Sequence, residues 1–135
     1  MFTGIRSWGA TRVVTLLEGH ELDTLGVGDL PLLVTEMGMR WHHLPIRDRD
    51  IPDQTFETKW MQLGQELTQS LEQGERILLH CMGGLGRTGT IAARLLIEAG
   101  MTADEAITAV RAARRGAIET REQEHYLHRL TAGQG

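Results

Sequence analysis

The sequence predicts an α/β domain in which a small, mainly parallel sheet is flanked by helices. Three observations carry this expectation. Short aliphatic runs recur at 12–18, 40–46 and 76–80; amphipathic helical patterns separate and follow them; and polar or glycine-rich loops leave the second and third runs. Strands that alternate with helices favour parallel pairing, and ligands of such sheets sit beyond the carboxyl ends of the strands. The 135 residues suit a single domain, expected to span 1–135.

The elements follow in order. RVVTLLE (12–18) is a β-branched and aliphatic run bounded by polar residues and reads as a buried strand. GHELDTLGVG (19–28) reads as a turn-rich connection. Asp29 is placed to cap a helix over LPLLVTEM, with Pro31 in its first turn and Gly38 ending it. RWHHLPI (40–46) is the second strand, and RDRDIPDQ (47–54) is a polar loop in which Asp53 reads as a helix cap. From Thr55 to Gln73, the residues Phe56, Trp60, Leu63, Leu67 and Leu71 recur on one face of a helix that Gly74 stops. RILLH (76–80) is the third strand. A helix then runs from about Arg87 to Ala99. Thr102 with Glu105 is a capping-box pattern that opens a further helix to about Ala113. Thr120 with Gln123 repeats it before a last helix that ends near Leu130.

Composition narrows the function classes. Apolar residues make up 41% and charged residues 24%, as in ordinary globular domains. A net charge of −4 gives no global basic field for nucleic acid or an anionic membrane, so an anionic ligand needs a local positive arrangement. One cysteine makes no internal disulfide, which points to a reducing compartment or a reactive thiol. No apolar run reaches the ~18 residues of a membrane span, and the start MFTGIRSWGATR lacks the apolar core of a signal peptide. A cytoplasmic location without membrane or nucleic-acid partners is expected.

That cysteine lies in ILLHCMGGLGRTGT (77–90), between a predicted strand and a predicted helix. Gly83, Gly84 and Gly86 allow the loop to turn its N–H groups inward, and the helix start adds further unpaired N–H groups and positive potential. Arg87 supplies a planar fork that matches two phosphate oxygens. Such surroundings favour the thiolate of Cys81, which would lie in line with the phosphorus of a bound phosphate. The phosphate-binding residues are therefore expected to be Met82, Gly83, Gly84, Leu85, Gly86 and Arg87. A buried structural cysteine in a tight turn is the plainer alternative. A nucleotide-binding G-x-x-x-x-G-K-[ST] loop does not fit, because Cys81 and Arg87 occupy its glycine and lysine positions.

His80-Cys81-x-x-Gly84-x-x-Arg87-Thr88 resembles the His-Cys-x5-Arg-Ser/Thr signature of protein tyrosine and dual-specificity phosphatases. VVTLLE, HHLPIRD, EAITAVRAARRGAIET and QEHYLHRL extend the likeness over most of the chain, most closely to the kinase-associated phosphatase branch. The resemblance implies a protein-tyrosine-phosphatase-like fold of the dual-specificity type. It also implies a phosphomonoesterase without metal or other cofactor, working through a cysteinyl-phosphate. Relative to that branch the amino terminus is short, which raises the expectation of an exposed sheet edge or a missing recognition segment.

Roles follow from the same resemblance. Asp48, after Pro-Ile-Arg at a strand end, maps onto the general acid, with Asp50 as its competitor; a solvated turn is the plainer reading of the loop. Thr88 would donate to the sulfur as it leaves. His80 would order the loop without acting as a base. Gln123 maps onto a glutamine that positions water, although Glu119 replaces the family's first glutamine and a capping box explains Gln123 equally well. Arg114 and Arg115 are either substrate-side cations or a solvated helix end. His42 with His43, and His125 with His128, lack the converging ligands of a metal site, and none is expected.

The loop interior carries no lysine, which places inositol-lipid substrates lower. A shallow site for phosphotyrosine and phosphoserine or phosphothreonine on a protein or peptide is expected, and a small phosphate ester stays open. Two rival readings are a rhodanese-like sulfurtransferase and a non-catalytic phosphoprotein-binding module.

Overall fold

The computed structural model describes residues 9–82 and 86–134. The elements in chain order are β1 (Ala10–Thr15), α1 (Gly19–Thr24), α2 (Leu30–Glu36), β2 (Arg40–His43), α3 (Gln54–Glu72), β3 (Arg76–His80), α4 (Gly86–Glu98), α5 (Ala103–Ala113) and α6 (Arg121–Gln134). Among the described residues the sheet has three strands in the order β2-β1-β3, with both pairings parallel. The parallel α/β arrangement read from the sequence is therefore the one the chain adopts.

β1 is the central strand, and the two-residue period of a strand sends its neighbours to opposite faces. Val14 and Leu16 pack with Leu44, Ile46, Phe56, Trp60, Leu67 and Ile91 under α3 and α4. Val13 and Leu17 pack with Leu22, Leu30, Val34 and Met39 under α1 and α2. A third cluster, built on Ala93, Ile97, Ala106, Ile107, Tyr126 and Leu127, joins α4, α5 and α6. A sheet covered on both faces explains why these strands read as continuous apolar runs.

The strand ends are tied together beyond the strands themselves. Leu16 donates its N–H to the His80 carbonyl (3.0 Å), Leu44 to the Thr15 carbonyl (2.9 Å) and Ile46 to the Leu16 carbonyl (3.0 Å). The loops that follow therefore leave from one firm edge.

The segment 19–28, expected to be a turn-rich connection, begins instead with α1. Its start is held by the Glu18 N–H, which donates to Glu21 Oε1 (2.9 Å), closing the first turn as a capping-box glutamate does. Two further expectations shift. Leu71 is 44% exposed and lies off the buried face of α3, and the last helix continues past Leu130 to Gln134. Asp29 sits at the N-cap of α2 without a side-chain cap bond, whereas Asp53 Oδ1 caps α3 by accepting from the Phe56 N–H (2.9 Å). Both predicted Thr boxes form: Glu105 N–H to Thr102 Oγ1 and Gln123 N–H to Thr120 Oγ1 are each 3.1 Å. The short amino terminus expected from the sequence, and the expected phosphate ligands Gly83, Gly84 and Leu85, lie outside the described residues. Among the described residues no helix is long and apolar enough to cross a membrane.

Candidate active site

Each strand delivers one polar group to the same end of the sheet. Glu21 follows β1, Asp48 follows β2, and Cys81 follows β3 directly, with Arg87 at the start of α4. This is the carboxyl-end position expected for a ligand site in a parallel sheet.

Cys81 is half-buried, and Thr88 Oγ1 donates to its sulfur across 2.9 Å. The contact places the first turn of α4 beside the end of β3. Arg87 is almost wholly buried. Its Nη1 and Nη2 donate to Glu21 Oε1 (2.7 Å) and Oε2 (3.0 Å), and Nη1 also donates to the Ile46 carbonyl (2.9 Å). Glu21 thus grips one edge of the guanidinium bidentately and leaves the Nε–Nη2 edge turned away from it. Asp48 Oδ1 stands 3.6 Å from Nη2, with its side chain 67% exposed.

The electrostatics follow from this pairing. The hydrogen bond from Arg87 holds the Glu21 carboxyl below its ordinary value of 4.5, against the opposing effect of burial. Burial alone would lower the Arg87 pKa, but the Glu21 carboxylate outweighs it and the net shift is upward. The arginine is therefore a fixed cation at the mouth of the thiol loop.

His80 lies behind the thiol. Its Nε2 is 2.6 Å from Thr15 Oγ1, which also accepts from Trp41 Nε1 (2.8 Å). Thr15 and His80 are register partners, so this chain of bonds crosses all three strands just below the site. Burial pushes the His80 pKa below its ordinary value of 6.5, which favours the neutral ring.

Gln123 is fully buried, and its amide is engaged on both sides. Oε1 accepts from the N–H groups of Glu119 (2.9 Å) and Thr120 (3.1 Å), while Nε2 donates to the Asp50 carbonyl (3.1 Å). It touches the aspartate loop rather than the thiol. Asp50 Oδ1 accepts from the Ile51 N–H (2.8 Å), a local turn bond. Gly86 lies under the Glu119 side chain: a Cβ there would come within 2.7 Å of Glu119 Oε1, so the carboxylate would have to move.

The remaining candidates fall as follows. Met82 is exposed, as are Arg114 and Arg115 at the end of α5. Arg114 lines an apolar cleft of about 480 Å³ that also reaches Leu78, Cys81, Thr88 and Ala92. His42 meets Arg12 Nη1 (3.0 Å) and His43 the Leu17 carbonyl (2.6 Å), so the two imidazoles do not converge. Glu18, His20 and Glu21 bring ligand atoms within 4.8 Å, but the Glu21 carboxylate is already engaged with Arg87. Sequence reasoning missed Glu21 and Thr15. A Glu-x-x-Glu spacing at 18–21 was the available signal for the first; nothing local marks the second.

Comparison with known proteins agrees with this geometry. Residues 4–127 match the family described as Swiss Army Knife protein, DSP-PTPase phosphatase domain. Cyclin-dependent kinase inhibitor 3 from Rattus norvegicus and from Homo sapiens is 35% identical over 127 residues, covering 92% of this chain and 58% of each relative. The chain thus spans a little over half the length of those relatives. A probable protein tyrosine phosphatase type IVA B from Dictyostelium discoideum is 32% identical over 84 residues, covering 62% of this chain and 52% of that one. Among solved structures, kinase associated phosphatase with its catalytic-site cysteine changed to serine superposes with a TM-score of 0.86 at 31% identity, covering 97% of this chain and 74% of that chain. Tk-PTP in the active form gives 0.73 at 32% identity, covering 92% and 80%. A match running from residue 4 to residue 127 takes in every strand and both ends of the thiol loop, and the chain belongs to the DSP-PTPase phosphatase family.

Proposed function

We propose that the chain hydrolyses phosphomonoesters on phosphorylated proteins or peptides, with Cys81 as nucleophile. The observation that carries this reading is the Thr88 Oγ1–Cys81 Sγ hydrogen bond beside a buried Arg87 that Glu21 grips through Nη1 and Nη2. The catalytic-site cysteine named for kinase associated phosphatase supports the same assignment here.

In this reading the Arg87 edge and the loop amides hold the phosphate, and the Cys81 thiolate attacks phosphorus. The P–O ester bond breaks as Asp48 gives its proton to the departing oxygen. Water then attacks the cysteinyl-phosphate and passes a proton to Asp48. The S–P bond breaks, and the Thr88 hydroxyl stabilises the departing thiolate. Asp48 is preferred to Asp50 because it approaches Arg87, whereas Asp50 is tied into its own turn. A neutral His80 orders the loop from behind. The reaction needs no metal or cofactor.

Phosphotyrosine and phosphoserine or phosphothreonine are the proposed targets, with small phosphate esters as weaker substrates. A kinase is a reasonable partner, because the relatives are called kinase associated phosphatase and cyclin-dependent kinase inhibitor 3. The test is hydrolysis of p-nitrophenyl phosphate and of phosphopeptides by the wild type, Cys81→Ser, Asp48→Asn and Asp50→Asn. Activity surviving in Cys81→Ser would end this reading, and a larger loss in Asp50→Asn than in Asp48→Asn would reassign the acid. Thiosulfate–cyanide turnover without phosphate release would favour a sulfurtransferase, and tight phosphopeptide binding without turnover a binding module.

A further inference from the structure

The aspartate turn carries a backbone conformation that its sequence does not favour. The Asp50 N–H closes on the Arg47 carbonyl (3.0 Å), so Asp48 and Arg49 are the central residues of a four-residue turn. Arg49 has φ 63, in the left-handed region where glycine or asparagine is usual. Strain of this kind persists where surrounding contacts determine it.

The contact that faces it is Glu119. Arg49 Nη1 donates to Glu119 Oε2 across 3.3 Å, and Arg49 itself is 65% exposed. Glu119 is the fixed end of this pair. Its N–H is held by Gln123 Oε1, and its carboxylate lies against Gly86 at the start of α4. Ile118, just before it, also has a positive φ (62), is buried, and has its carbonyl held by Arg111 Nη2 (2.8 Å). A second bond, Gln123 Nε2 to the Asp50 carbonyl, pins the same turn from the same segment.

An exposed ion pair contributes little to stability. Its place decides its use: one end is next to Asp48 and the other lies against the residue before Arg87. We propose that Arg49 and Glu119 are positioning residues, a latch that holds the aspartate turn beside Arg87 so that Asp48 can protonate the leaving group. This rests on the phosphatase reading above.

The test compares Arg49→Gly, which suits the turn and removes the charge, with Glu119→Gln and with the double variant. Each is assayed on phenyl phosphate, whose leaving group needs a proton, and on p-nitrophenyl phosphate, whose leaving group needs it far less. The expected result is a fall in kcat of about tenfold on phenyl phosphate and less than about twofold on the nitrophenyl ester, because acid catalysis contributes selectively to poor leaving groups. The double variant should be no worse than the worse single. Equal losses on both esters, additive losses, or no loss would overturn the latch. Amide exchange over residues 47–51, measured without substrate, should quicken in both single variants; unchanged exchange also overturns it. A wild type that turns over neither ester while exchange still quickens would sink the phosphatase reading and the protonation role, and leave only the contact.

Discussion

Arg87 and Arg94 lie two turns apart on α4, both are buried, and they are held in opposite ways. Arg94 is enclosed. Its Nη1 donates to both oxygens of Glu57 (2.8 Å each) and to the Tyr126 hydroxyl, and Nε pairs with Glu98 at 3.5 Å. Its guanidinium also stacks 4.9 Å from the Trp60 ring centroid, with Phe56 and Tyr126 at about 6 Å. Arg87 has Glu21 on one edge, and its Nη2 also stands 3.6 Å from Asp48 at the strand ends. The larger cavity, about 610 Å³, lies beside Arg94 and does not reach Cys81. Neither burial of an arginine nor cavity volume therefore singles out the Cys81 site. What distinguishes Arg87 is its place at the strand ends, beside Asp48 and the strand that leads into Cys81.

Substitutions at the thiol and at the two arginines separate their roles. Cys81→Ser should lower kcat by at least about 10⁴-fold, as loss of a nucleophile does, with little change in thermal unfolding. Arg87→Lys keeps the charge and loses the fork, so kcat should fall about 10²–10³-fold. Arg94→Lys should leave kcat within about threefold while lowering stability by about 3 kcal/mol in denaturant unfolding, since Glu57 and Tyr126 lose their shared partner. If the two lysine variants behaved alike, the distinction between the arginines would fail.

Glu21→Gln falls between these cases, because Glu21 serves both fold and site. It should reduce stability by about 3 kcal/mol through an uncompensated buried guanidinium, and lower kcat about tenfold as Arg87 loses its fixed pose. The wild type carries the matching pH dependence. The folded-state carboxyl of Glu21 titrates below its ordinary value of 4.5. The stabilisation is therefore complete above that value and is lost as pH falls through the lower folded value. His80 adds a term of the same sign, as its buried ring must take up a proton in acid. Urea unfolding of Glu21→Gln across pH 3–7 should show a shallower loss toward acid than the wild type.

Thr88→Ala should have the smallest effect on the first half of the reaction. Attack on a good ester should proceed within a fewfold of the wild type, while breakdown of the cysteinyl-phosphate slows about tenfold, producing a rapid burst of nitrophenol followed by slow turnover.

How much of this was legible depends on how far apart the partners lie. The thiol loop could be read because its chemistry needs a nucleophile, amides and an arginine within one strand–loop–helix. The boxes at Thr102 and Thr120 were legible because a cap and its partner lie three residues apart. Glu21 was not, since it meets Arg87 across 66 residues and a glutamate in a glycine-flanked stretch reads as loop. The Asp48–Asp50 choice stayed open in sequence because both aspartates lie in one short turn, and their partners, Arg87 and Gln123, are remote. Gln123 itself shows the limit of a motif. Its spacing fits two roles, and its neighbours in space place its amide on backbone groups and the Asp50 carbonyl.

The central claim is that Cys81 carries the phosphoryl group during turnover. Thr88→Ala protein denatured rapidly while hydrolysing p-nitrophenyl phosphate, then digested and read by mass spectrometry, tests this directly. The expected result is a phosphoryl adduct on the peptide containing Cys81, absent from Cys81→Ser treated in the same way. Continued turnover with no adduct at Cys81, or an adduct on another side chain, would contradict it.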